Sequence, residues 1–118
     1  MGELIAILFL ARDIAHREHL KTRSFAAHMA LNEFYVDIIE KADAIAEAYQ
    51  GCEGKILNIP YLRNTAKGSI EKILRDQLSW IESNRYKAAG KEETAIQNLI
   101  DEAVSSYHTV LYKLKFLS

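Results

Sequence analysis

Helical periodicity in this chain is interrupted at only a few points, and these constrain the fold most. The one proline, Pro60, and four of the five glycines, Gly51, Gly54, Gly68 and Gly90, stand between stretches in which apolar residues recur every three or four positions. Helices stop and chains turn at such residues. Four helices follow, at about 3–20, 24–50, 68–86 and 92–115. The first carries Leu4, Leu8, Ala11 and Ala15 as a stripe. The second opens on Ser24 as N-cap, carries Leu31, Phe34, Ile38, Ala42, Ile45 and Tyr49, and is expected to close on Gly51. The third repeats Ile70, Ile73, Leu74, Gln77, Leu78 and Ile81, and the fourth Ile96, Leu99, Ala103, Tyr107, Val110 and Leu114. No strand-like alternation interrupts them, so the fold class is all-α.

At 118 residues the chain is one domain, residues 1–118, with enough apolar content for one core. Two tight connections, near 21–23 and 87–91, flank a long one at 51–67. An extended segment of that length reaches about 55 Å, enough to run the length of the second helix. Hairpin, crossover, hairpin is the order of a ferritin-like four-helix bundle with a long crossover between its second and third helices.

Charge and cysteine content narrow the function classes. Fifteen basic and sixteen acidic residues leave a net charge of −1, which builds in no attraction to nucleic acid or anionic lipid. Cys52 stands alone, so neither an intrachain disulfide nor a cysteine-rich zinc site can form, and metal chemistry must use histidine and carboxylate. The apolar run Leu4–Ala11 has Glu3 before it and Arg12-Asp13 after it, unlike a signal peptide, and falls far short of a membrane span. A cytoplasmic protein without a membrane partner is expected. A run apolar all round predicts burial on two sides, by the core and by a partner subunit.

His16 and His28 lie at nearly equal distances from a turn near residue 22, which predicts side-by-side imidazoles in an antiparallel hairpin. On the second helix, at about 100° per residue, His28, Asn32, Val36, Ile39, Asp43 and Glu47 share one face. Asp43 and Glu47 are an i, i+4 pair able to reach one cation. His28 and Asp43 stand roughly 22 Å apart along one helix, too far for one ion. Two such helices packed antiparallel about Val36 and Ile39 would bring His16 and His28 of one subunit opposite Asp43 and Glu47 of the other, twice per dimer. This ligand mix suits iron, manganese or zinc. No Glu-x-x-His occurs, which argues against a di-iron centre inside one bundle, and no Cys-x-x-Cys-His attaches a haem.

His16, His28, Asp43 and Glu47 stand in the order and spacing of the intersubunit ferroxidase ligands of Dps-type miniferritins, and Ala15–Glu47 resembles their first hairpin. The resemblance implies an iron site with two histidines from one subunit and two carboxylates from its partner, possible ferroxidase activity, and a homodimer or larger homo-oligomer. The segment His19–Gly51 also resembles small uncharacterised proteins found largely in phages. Where the miniferritin pattern has a further carboxylate this chain has Asn32, and where it has a tryptophan after the first histidine this chain has Arg17. With the first helix opening near Met1, the basic tail of DNA-binding members is not expected.

The alternative function is a non-catalytic helical dimer that keeps the fold and binds another protein. His19 is either an outer ligand or a donor that supports one, or simply sits at a helix end, where a cation is favoured, and Asp13 either orients His16 or lies on the surface. His108 and Trp80 read as structural. No arrangement of nucleophile and base points to an organic substrate.

Overall fold

A computed structural model describes residues 1–117 as four helices: α1 (Gly2–Lys21), α2 (Phe25–Glu53), α3 (Ile70–Ala88) and α4 (Thr94–Phe116). Each forms where the apolar spacing places it, and polar side chains fix two of the starts. Ser24 Oγ accepts the Ala27 N–H at 3.1 Å, and Ser69 Oγ accepts the Lys72 N–H at 3.2 Å, each satisfying a donor that the first helical turn leaves open.

The end of α2 differs from the expectation. Gly51 lies inside the helix, and Gly54 closes it, with φ of 69° and its N–H bonded to the Gln50 carbonyl. The left-handed conformation costs an L-residue about 1 kcal/mol and a glycine nothing. Three further residues continue helically because none of them forbids it. At 29 residues α2 rises about 44 Å, the long dimension of a body 45 × 25 × 22 Å.

In the bundle α1 packs against α2 and α3, and α4 packs against the same two, which leaves α2 and α3 at opposite corners. Neighbours run antiparallel. Along the α2–α4 seam, Glu33 pairs with Lys113, Asp37 accepts from Ser106, and Lys41 donates to Glu102 at 3.2 Å. Between α3 and α4, the buried Arg85 donates to the Gln97 side chain and carbonyl, both at 2.9 Å, and to Asp101 at 2.6 Å. Gln97 in turn donates to the Ala89 carbonyl at 2.8 Å, tying the turn to both helices.

The connection from Gly54 to Ser69 starts beside the first turn of α1, where Asn58 and Pro60 face Gly2, and arrives with Asn64 and Ala66 beside Arg17 and Lys21. A Cβ on Gly2 would stand 2.2 Å from the Asn58 carbonyl oxygen, so only glycine permits this approach. Leu57 and Ile59 pack from the connection onto the core. Part of the cover that the apolar run Leu4–Ala11 needs therefore comes from the chain itself, with Phe9 left outward at 37% exposure.

Leu4, Ile5 and Leu8 from α1, Leu31, Ile38 and Ile45 from α2, Leu74 and Ile81 from α3, and Ile100, Tyr107 and Val110 from α4 are fully buried. Each large apolar side chain contributes about 1.5–3 kcal/mol. At the centre, Tyr107 meets the Phe34 ring edge-on at 5.1 Å, and its hydroxyl donates to Gln77 Oε1 at 2.9 Å. Gln77 thus sits in the predicted apolar stripe as the partner of a buried hydroxyl. No described helix is long and apolar enough to cross a membrane.

Candidate metal centre

The turn between α1 and α2 gathers three histidines, with a pairing different from the expected one. His28 faces His19: the rings stack at 3.7 Å with planes 17° apart. Each ring Nδ1 meets the other residue's backbone carbonyl, His19 Nδ1 to His28 O at 2.6 Å and His28 Nδ1 to His19 O at 2.8 Å. A carbonyl only accepts, so both Nδ1 atoms carry protons and donate. In the neutral rings the Nε2 lone pairs are left free. The His19 carbonyl lies in the last turn of α1, where helical partners run out, so the His28 ring fills an open place there.

The register explains the exchange of partners. α1 ends at Lys21 and α2 starts at Phe25, so the turn is centred at Arg23, and the mutual bonds of residues 19 and 28 set the pairing centre between Arg23 and Ser24. A centre near residue 22 pairs 16 with 28 instead. His16 stacks on Tyr35 at 4.2 Å with planes 16° apart, and its ring lies 6.1 Å from that of His19. Asp13, one turn before His16, bonds Arg17 at 2.9 Å.

The face of α2 runs outward. Val36 is 49% and Met29 43% exposed, Ile39 and Asn32 are half-buried, and Asp43 and Glu47 are exposed. Tyr35 Oη donates to Asn32 Oδ1 at 2.8 Å. Apolar side chains thus occupy the middle of an exposed helical face, with a histidine towards its start and two carboxylates towards its end. Within one chain His16, His28, Asp43 and Glu47 form no group of three converging ligand atoms among the described residues.

A different group does converge there. Cys52 and Glu53, at the end of α2, and Glu93, before α4, bring one ligand atom each within 4.8 Å of one another. The Cys52 thiol donates to Glu93 at 3.4 Å, and that bond, with lesser effects from desolvation and the charges of Glu93 and Glu53, raises its pKa. This favours a thiol over a metal-binding thiolate. Sequence reading missed the group, since Glu93, at the N-cap of α4, lies about forty residues from Cys52 and Glu53 at the end of α2. His108 is exposed on α4, and Trp80 is half-buried where α3 passes the start of α1.

Compared with known proteins, the chain matches the profile described as a family of unknown function (DUF5856) over residues 19–114. No curated protein and no solved structure matches it.

Proposed function

We propose, for a chain that belongs to the family of unknown function DUF5856, a Dps-like, ferritin-like role: binding iron, or zinc or manganese, at a site shared between two copies. The observation that carries this reading is the outward face of α2, on which exposed Met29 and Val36 separate His28 from Asp43 and Glu47. An exposed apolar centre is a poor match for water and a good one for its own symmetric copy. Antiparallel pairing about Val36 and Ile39 covers it and sets the histidine end of each helix against the acidic end of the other.

The residues fit such an ion in their donor chemistry. The Nδ1 of His28 is spent on a backbone carbonyl, the arrangement that fixes a ligating imidazole and leaves Nε2 to a metal. Asp43 and Glu47 add two hard oxygen donors and the negative charge that offsets a divalent cation. Fe(II) bound there would be substrate as well as ligand, and its oxidation by dioxygen is the ferroxidase reading of the same site.

Titration of the metal-free chain with Fe(II) under nitrogen and with Zn(II), followed by aerobic Fe(II) oxidation, tests this. Asp43→Ala with Glu47→Ala is expected to abolish the binding and any oxidation above a protein-free control. Equal affinity and stoichiometry in the double variant would overturn the reading.

A second reading, a non-catalytic helical dimer that binds another protein, is favoured by apolar side chains exposed away from this face, Ile56 at 83% and Tyr61 at 104%. It predicts a dimer that takes up no metal.

A further inference from the structure

One side chain on the outward face of α2 is already aimed. Asn32 Oδ1 accepts from Tyr35 Oη at 2.8 Å. The Tyr35 ring has little freedom, stacked on His16 at 4.2 Å and meeting the His19 ring edge-on at 5.4 Å. With Oδ1 taken, the Asn32 amide offers its Nδ2 donors to whatever covers the face. A carboxylate in this place would offer only acceptors.

What covers it follows from the charge order along α2. Glu33, Asp37 and Lys41 are engaged on the α4 seam by Lys113, Ser106 and Glu102, which leaves Arg23 and His28 at the start of α2, where the helix dipole is positive, and Glu40, Asp43, Glu47 and Glu53 along its second half. Parallel pairing of two copies would set acid against acid, whereas antiparallel pairing sets each acidic half against a basic start. With Val36 opposite Ile39, Asn32 comes opposite Asp43 and Phe25 opposite Gln50.

Resting on the two-copy reading above, we propose that Asn32 is a positioning residue that fixes the register of self-association. Its Nδ2 donates to Asp43 of the second copy, and Tyr35 aims it. The contact occurs twice by symmetry. An amide takes one carboxylate oxygen and leaves the other free for a cation, so the same bond orients a candidate metal ligand.

Sedimentation velocity on the full chain over a concentration series, with circular dichroism to check folding, reads the effect. Asn32→Asp places carboxylate against carboxylate twice and should raise the dimer dissociation constant about tenfold or more. Adding Asp43→Asn to it only exchanges donor and acceptor across the contact, and should return the constant to within about threefold of wild type. Tyr35→Phe frees the amide and should weaken the dimer a few-fold. In a Cys52→Ser background, Phe25→Cys mixed with Gln50→Cys should form a disulfide that neither variant forms alone.

A wild-type chain that stays monomeric at every concentration would overturn the two-copy reading itself. A wild-type dimer indifferent to Asn32→Asp, not rescued by the exchanged pair, or lacking the mixed disulfide would overturn the assignment of Asn32 and leave self-association standing. A dimer unmoved by Tyr35→Phe would overturn the part given to Tyr35.

Discussion

His19 and His28 hold each other by exchanging bonds: each ring donates from Nδ1 to the other's backbone carbonyl, at 2.6 and 2.8 Å, while the rings stack at 3.7 Å. The pair closes the α1–α2 hairpin next to its turn, where helical hydrogen bonding is incomplete. It also fixes the tautomer of both rings, so the local fold and the donor chemistry of His28 have one cause.

The pair should therefore be worth measurable stability. Each bond contributes about 1 kcal/mol net, and replacing either histidine removes one bond and the stacking. His28→Ala and His19→Ala should each cost roughly 1–2 kcal/mol in urea unfolding. The double variant should cost less than the sum, because the stacking is lost only once. Strictly additive losses would mean that the rings act independently.

Gly51 and Gly54 should respond in opposite directions to alanine. Gly51 is helical, exposed, and has nothing within 4 Å of an added Cβ, so Gly51→Ala should stabilise by about 0.5–1 kcal/mol. Gly54 holds φ of 69° in equally open space, so Gly54→Ala should cost about 1 kcal/mol from backbone strain alone. Denaturant midpoints of the two variants on either side of wild type would establish where α2 ends; the reverse order would place the cap at Gly51.

The sequence made the four helices legible because each buries one stripe, and a stripe is a local property. Leu31, Phe34, Ile38, Ala42 and Ile45 are all buried, and even Gln77 keeps its place among the apolar positions by meeting Tyr107. Helix ends were less legible, since Gly51 and Gly54 look alike until their backbone angles are known. The histidine pairing turned on a shift of the hairpin centre from near residue 22 to between 23 and 24, within the usual uncertainty of a helix boundary. That shift was enough to exchange His16 for His19. The approach of Glu93 to Cys52 depends on how α2 and α4 dock, which no spacing within either helix encodes.

Cys52 should be a sluggish thiol despite full exposure. Its bond to the Glu93 carboxylate favours the protonated form and raises its pKa, so the thiolate fraction near neutral pH lies below that of an ordinary exposed cysteine. Glu93→Gln removes the charge and weakens the bond. The pH profile of iodoacetamide alkylation should then move to lower pH, with faster reaction at pH 8. An unmoved profile would mean that the thiol and Glu93 do not interact in solution.

Tyr107 links the core to alkaline stability. Burial pushes its hydroxyl's ionisation well above the ordinary tyrosine value, so the folded chain keeps a proton that the unfolded chain releases above about pH 10. Stability from this group is whole below that value and falls as pH rises past it, by up to about 1.4 kcal/mol per pH unit. Tyr107→Phe removes this loss, but at neutral pH it leaves Gln77 Oε1 buried without its donor, at a cost of about 1–3 kcal/mol. Adding Gln77→Leu removes the stranded acceptor and should recover much of that cost. Urea unfolding at pH 7 and pH 11 separates the two effects: the single variant should be the weaker at pH 7 and lose less than wild type on going to pH 11. If Tyr107→Phe were neutral at pH 7, the hydroxyl would not be the partner that keeps Gln77 in the core.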